Sequence, residues 1–233
     1  MTASSLAFLA GRDGLPKTDW HEWFNDFDFY LATDWVITEQ GSGTRAISQA
    51  KGGVLLITNA AADNDSNNLQ LRDVASGQVA EHFKWVSAKR MYFGARFKVS
   101  DMTQSDWVFG LQITGTEPID ATLTDGIWFR KDDGDNDLDC VVCKDSVNTG
   151  SLEPSTKIAL ADDTYYVMEW YYDGKTAANG GMIQFFVDGV NVGNVDLDNV
   201  PDNEELTVSF ALQNGAGAAK SMSIDWIRVL QER

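Results

Sequence analysis

Apolar and polar residues alternate with period two along much of this chain. Met91, Phe93, Ala95, Phe97 and Val99 alternate with Tyr92, Gly94, Arg96 and Lys98, the pattern of a strand with one buried face. Trp107, Phe109, Leu111 and Ile113 repeat it. The last third predicts five successive strands: Tyr165–Tyr172, Met182–Asp188, Val190–Val195, Leu206–Leu212 and Met222–Val229. Between Val187 and Val190, Asp188-Gly189 reads as a two-residue hairpin loop with positive φ at both positions. Such a loop sets Val187 opposite Val190 and Phe185 opposite Val192. It places Ile183, Phe185, Val187, Val190 and Val192 on one face, with Gln184, Phe186 and Asn191 on the other. Shorter strands at Gly53–Thr58 and Leu69–Leu71 flank a polar loop, Asp63–Asn68. Ile127–Arg130 and Leu138–Val142 flank the acidic turn Lys131–Asp137. No helical stripe, internal repeat or low-complexity linker breaks the series. Many short strands with closely spaced turn signals predict an all-β sandwich or jelly roll.

The 233 residues suit one large all-β domain. It is expected over residues 19–233, behind a small, polar N-terminal arm, residues 1–18. The net charge of −17 repels phosphate and argues against a nucleic-acid partner. It implies a self-repelling surface or, in an assembly, acids that face outward. Cys140 and Cys143 are three apart, which puts them on opposite faces of a strand. They read as two buried thiols in a reducing compartment. A zinc site would need a second ligand pair, and His21 and His82 are the only histidines. Met1–Ala10 lacks a basic residue before its short apolar run, so it does not read as a secretion signal. No run approaches a membrane span, and no membrane partner is expected.

Trp20, Trp23, Phe24, Phe27, Phe29, Tyr30 and Trp35 form an aromatic cluster near the start. It could serve as a sugar-stacking platform, since ring faces pack on sugar C–H surfaces. The simpler reading, adopted here, is a first strand that covers one end of the core.

Several segments together resemble the concanavalin A-like jelly rolls, which include laminarinase-type glucanases and laminin-G-like lectin domains. Ser221-Met-Ser-Ile-Asp-Trp-Ile-Arg-Val229 is similar to their closing strand. Phe185-Phe-Val-Asp-Gly-Val190 is similar to their back-sheet hairpin, and Tyr92-Phe-Gly-Ala-Arg-Phe-Lys98 to an aromatic–x–x–Arg–x–Lys strand. These matches run from about residue 25 to the C-terminus. The resemblance implies a fold of two packed antiparallel sheets.

A narrower resemblance, to jelly-roll virion proteins of tailed phages, is carried by Asp26-Phe27, Gly52-Gly-Val-Leu-Leu56, Asp106-Trp-Val-Phe-Gly-Leu111, Asp125-Gly-Ile-Trp-Phe129 and Ile224-Asp-Trp-Ile-Arg228. It implies a non-enzymatic capsid decoration or cement protein. Such a protein would bind the major capsid protein on the virion exterior as a homo-oligomer, a trimer foremost, after assembly in the host cytoplasm. The alternative is a carbohydrate-binding, lectin-like module, with Trp20, Trp23 or Trp128 stacking on sugar beside loop aspartates.

The glucanase branch needs Glu-x-Asp-x-(x)-Glu on one strand, so that alternation brings nucleophile and acid/base to one face. No such motif occurs. Glu117-Pro-Ile-Asp120 has the wrong spacing and a ladder-breaking Pro118. The strand Trp107–Thr114 holds no carboxylate, and Glu169 shares its face with Tyr165, Val167 and Tyr171. No enzymatic activity is expected. Asn214-Gly-Ala-Gly-Ala-Ala219 reads as a flexible turn between strands, not a phosphate cradle.

No cofactor is expected, with calcium the one open question. Asp133, Asp135 and Asp137 have the spacing that begins an EF-hand loop. Leu138 stands where that loop needs Gly, and Lys144 where it needs Glu. Asp63-Asn64-Asp65 is a second incomplete candidate. The reading adopted for both is a solvated acidic loop.

Overall fold

The computed structural model describes residues 19–48, 50, 52–73, 75–115, 117, 119, 123–134, 137–148 and 158–233. Fifteen strands account for nearly all of its regular structure. They are β1 (Trp20–Asn25), β2 (Trp35–Gln40), β3 (Gly43–Ile47), β4 (Leu55–Asn59), β5 (Ser66–Leu71), β6 (Met91–Val99), β7 (Ser105–Gln112) and β8 (Gly126–Lys131). They continue with β9 (Asp139–Lys144), β10 (Val147–Asn148), β11 (Tyr166–Tyr172), β12 (Ile183–Val187), β13 (Val190–Val195), β14 (Thr207–Asn214) and β15 (Ser221–Glu232).

An eight-stranded sheet runs β13-β12-β11-β6-β15-β4-β3, with β1 also paired to β15. A seven-stranded sheet runs β10-β9-β8-β7-β14-β5-β2. Every described pairing is antiparallel. The inward side chains of the two sheets interlock in one core. Phe97 stacks on Phe109 at 4.2 Å between ring centres, and Phe109 on Phe210 at 5.3 Å. Trp107 meets Phe97 edge-on at 5.1 Å. These rings come from β6 of one sheet and β7 and β14 of the other, so the aromatic stack ties the layers together.

The alternation in β6 holds: Met91, Phe93, Ala95, Phe97 and Val99 all lie in the inter-sheet core. The Asp188-Gly189 turn has φ of 49° and 76°, and Val187 pairs with Val190 as the loop length dictates. Past that pair the expected register fails. A shift between Phe185 and Phe186 sets Phe185 opposite Gly193 instead of Val192. Such a bulge lets Val192 stay buried while Val190, next to the turn, is 66% exposed.

Three boundaries also move. β5 begins at Ser66, inside the stretch read as a polar loop, and all six of its residues are buried. β4 is Leu55–Asn59 rather than Gly53–Thr58. β7 starts two residues earlier than the apolar pattern suggests and so takes in Asp106. Cys140 joins the inter-sheet core and Cys143 an outer cluster, on opposite faces of β9 as the spacing requires. The expected arm, residues 1–18, lies outside the described residues.

Candidate functional site

The outer face of the seven-stranded sheet combines an apolar cluster with polar and charged side chains. Strand alternation aims Asp106, Val108, Gly110 and Gln112 of β7, and Gly126, Trp128 and Arg130 of β8, away from the core. Asp139, Val141 and Cys143 of β9, Thr207, Ser209, Ala211 and Gln213 of β14, and Asn68 and Gln70 of β5 share that face.

Half of this face is roofed by the chain that follows β7. Gln70 Nε2 donates to Ile113 O at 3.0 Å and to Ser209 Oγ at 2.9 Å, and Gln70 Oε1 accepts from Gly115 N at 3.0 Å. Asn68 Oδ1 accepts from Ile119 N at 3.3 Å. Ile119 then packs against the outer cluster of Val108, Trp128, Val141, Cys143 and Ala211. Thr114 is held from the side by Glu81, which accepts from its amide at 2.9 Å. A Cβ on Gly115 would run into Leu123, so glycine lets the roof close on itself. The amides of β5 are buried here because each binds the roof or a strand neighbour.

The other half is open and carries charge. Arg130 Nη2 donates to Asp139 Oδ2 at 2.8 Å, and Arg130 Nε lies 3.3 Å from Asp132 Oδ1. The Arg130 and Asp139 side chains keep 24% and 17% of their surface in solvent. Asp106 stands beside them and accepts from the amide of Asp133. Burial, and next the Asp133 and Asp132 charges, push its carboxyl above the ordinary aspartate range against that hydrogen bond. Gln213 pairs with Asp106 across β14 and β7 and completes the patch.

The loops at this end are tied to one another. Gly134 N donates to Thr103 O and Gly215 N to Gln104 O, each at 2.9 Å. Lys220, 7% exposed, is paired with Asp101. Lys131 is 2% exposed and donates to the carbonyls of Thr103, Ser105 and Asp132. Asn214 Nδ2 reaches the carbonyls of Ala60 and Ala62 at 2.7 and 2.9 Å. The patch therefore rests on a braced loop end.

Both calcium candidates are at this end. Asp133 and Asp137 flank the β8–β9 turn, and Asp63, Asn64 and Asp65 lie before β5; Asp135 is outside the described residues. Among the described residues, no group of three His, Cys, Asp or Glu side chains is arranged to hold a metal.

The three tryptophans proposed as stacking platforms lie on three different surfaces. Trp20 is 7% exposed on the outer face of the eight-stranded sheet, in a cluster with Tyr92 and Leu230. Trp23 turns inward and meets Trp35 edge-on at 6.1 Å. Trp128 is 5% exposed under the roof. Of the aromatic cluster, Phe27 and Trp35 are in the core, while Phe24 and Phe29 are 50% and 67% exposed. Glu169 is buried on the outer face of the eight-stranded sheet, where Tyr92 donates to it at 2.7 Å. His21 stacks on Phe83 at 5.1 Å. Glu117 is described but Asp120 is not.

No family model matches the chain, and no curated protein matches it. Solved structures do. The fold is that of the concanavalin A-like jelly rolls. The carbohydrate recognition domain of Emp47p matches at 14% identity with a TM-score of 0.59, covering 94% of this chain and 99% of that one. The potassium-bound carbohydrate recognition domain of Emp46p matches at 10% identity and 0.54, covering 88% and 94%. A prokaryotic β-1,3-1,4-glucanase (lichenase) from a mouse hindgut metagenome matches at 14% identity and 0.58, covering 89% and 98%. At such identities the likeness establishes the architecture of the chain.

The patch residues Asp106, Arg130, Asp139 and Gln213 were not singled out from the sequence. They come from four strands, and only the strand order β9-β8-β7-β14 makes them neighbours. Alternation within each strand is the one signal that pointed outward.

Proposed function

We propose that this protein is a non-catalytic carbohydrate-binding domain whose ligand sits on the open half of the seven-stranded sheet. The observation that carries the reading is the partly exposed Arg130–Asp139 pair with Asp106 and Gln213 beside it. A sugar ring offers neighbouring hydroxyls that both donate and accept. A carboxylate accepts two hydrogen bonds, a guanidinium donates two from a rigid fork, and an amide does both. Emp47p and Emp46p supply the parallel of the same architecture in carbohydrate recognition domains. Recognition here is by hydrogen bonding, since Trp20 and Trp128 are buried and Trp23 points inward.

The same geometry argues against hydrolysis. The outward positions of β8 are Gly126, Trp128 and Arg130, without a carboxylate. Asp106 and Asp139 are two strands apart and, by register, two residues out of step. Strand spacing then sets their Cα atoms about 12 Å apart, a wide base for the ~5–9.5 Å between carboxyl groups that glycosidases use. Arg130 stands in the gap.

The test is a glycan microarray followed by calorimetric titration. Wild type is expected to retain a defined glycan, Arg130→Ala and Asp139→Asn to lose it with the fold intact, and β-glucan to yield no reducing ends. A wild type that binds no glycan refutes the reading.

A second reading, a virion surface protein on a phage capsid, gains from the roof. A sheet face partly filled by its own chain suits a structural scaffold as well as a binding groove. Co-sedimentation of the purified chain with phage heads, independent of sugar, would favour it.

A further inference from the structure

We propose that the Lys131 ammonium fills a built cation site: a cage of backbone carbonyls of the class that takes a monovalent cation, potassium or ammonium. The side chain does there what a bound ion would do. Strand alternation aims Ile127, Phe129 and Lys131 of β8 into the space between the sheets. Lys131 ends that run, opposite Trp107 on β7, and is 2% exposed. A charge buried this deeply is kept only with close compensation. Its Nζ donates to Asp132 O at 2.7 Å and to Thr103 O and Ser105 O, each at 3.3 Å. Carbonyl oxygens that replace a hydration shell are how potassium is held in selective pores. Calcium wants its oxygens at about 2.3–2.6 Å and takes carboxylates among them. The Lys131 cage is wider and suits a larger, singly charged ion.

The cage stands on contacts that do not involve Lys131. Asp101 Oδ1 accepts from the amides of Thr103 and Gln104 at 3.1 and 2.9 Å, and the other carboxylate oxygen is paired with Lys220. The Gln104 amide and the Thr103 carbonyl belong to one planar peptide group, so turning the first toward Asp101 turns the second away from it, toward Lys131. The same holds on the other side. Asp106 accepts from the Asp133 amide, whose peptide partner is Asp132 O. Gly134 N donates to Thr103 O and Gly215 N to Gln104 O, which fixes the loops to each other. Cutting back the Lys131 side chain therefore leaves oriented carbonyls behind. The acidic turn Lys131–Asp137, a calcium candidate by its spacing, carries its own cation at its first residue. That cation ties the β6–β7 loop to the β8–β9 turn. The assignment does not depend on what binds the open patch.

The test is thermal unfolding of the full chain and of its Lys131→Ala and Lys131→Met variants in potassium, ammonium and choline chloride at equal ionic strength. In choline chloride, whose cation is too bulky for the cage, both variants should melt about 10 °C below wild type. Potassium and ammonium are expected to return at least half of that loss to Lys131→Ala, whose short side chain opens the cage. They should return none of it to Lys131→Met, whose stem still occupies the approach. Wild type should melt at one temperature in all three salts. Lys131→Ala that melts alike in all three overturns the proposal, and so does a wild type that gains as much from potassium as the variant does. Should Lys131→Ala fold in none of the salts, nitrogen-15 NMR of the wild type decides. A slowly exchanging Lys131 ammonium signal with cross-peaks to Ser105 and Asp132 supports the cage, and an ammonium in fast exchange with water refutes it.

Discussion

Replacing Gln70 with Met tests whether the roof over the seven-stranded sheet is held by the amides of β5. Methionine keeps the length and most of the volume of glutamine but neither hydrogen-bonding atom. The substitution removes the bonds to Ile113 O, Ser209 Oγ and Gly115 N, at a site 2% exposed. At about 1 kcal/mol net for each bond, the loss is about 3 kcal/mol. For a chain of this size each kcal/mol moves Tm by about 2–4 °C, so the midpoint should fall by about 6–12 °C. The roof is also held by Asn68 and Glu81, so part of the loss should appear as local opening. Thermal unfolding by circular dichroism reads the first component. Hydrogen exchange at the Gly115 and Ile119 amides reads the second. A midpoint within 2 °C of wild type together with unchanged exchange at both amides would refute the role given to Gln70.

Other perturbations separate the remaining claims. Gly110→Ala should destabilise strongly, because a Cβ there would stand 2.5 Å from Trp128 Cα and closer still to Ile127 O, both on the paired strand; denaturant titration checks it. Asp106→Asn should raise Tm at neutral pH. Its folded-state carboxyl titrates above the unfolded value, so the wild type loses stability as pH rises through that range. The gain should vanish below pH ~3.8, where wild-type Asp106 is protonated in both states. His21 is the opposite case: burial, then Arg233 and His82, lower its pKa, so the fold favours neutral imidazole. Stability should be complete above pH ~6.5 and decline as pH falls through the lowered value, a slope that His21→Gln should flatten in melts from pH 8 to 5. Cys143, pushed up to about 11 mainly by burial, and Cys140, pushed higher still, should resist thiol reagents at pH 8 until the protein unfolds.

Much of the architecture was legible because one side of each long strand had to be buried. β6 and β14 read correctly for that reason. β5 did not: Ser66-Asn-Asn-Leu-Gln-Leu71 has the composition of a loop, yet it is buried throughout. Its Asn67, Asn68 and Gln70 are satisfied by partners such as Asn59, Ile119 and Gly115, from elsewhere in the chain. Those partners cannot be read from local pattern. The Phe185–Phe186 register shift was hidden for a similar reason, since a tight turn fixes only the pairs next to it. Phe24, Phe27, Phe29 and Trp35 looked like one cluster, but Phe27 and Trp35 are in the core while Phe24 and Phe29 face solvent. The open patch was the least visible feature. It is a product of strand order, and three of its four members are ordinary charged residues in a chain rich in them.

The most direct test of the carbohydrate-binding account is glycan microarray screening of the full chain, with Arg130→Ala run alongside on the same glycans. The account predicts that wild type selects a defined set of glycans and that Arg130→Ala, folded and with a Tm near wild type, loses them. Wild-type binding that survives Arg130→Ala, or no glycan bound at all, would contradict it.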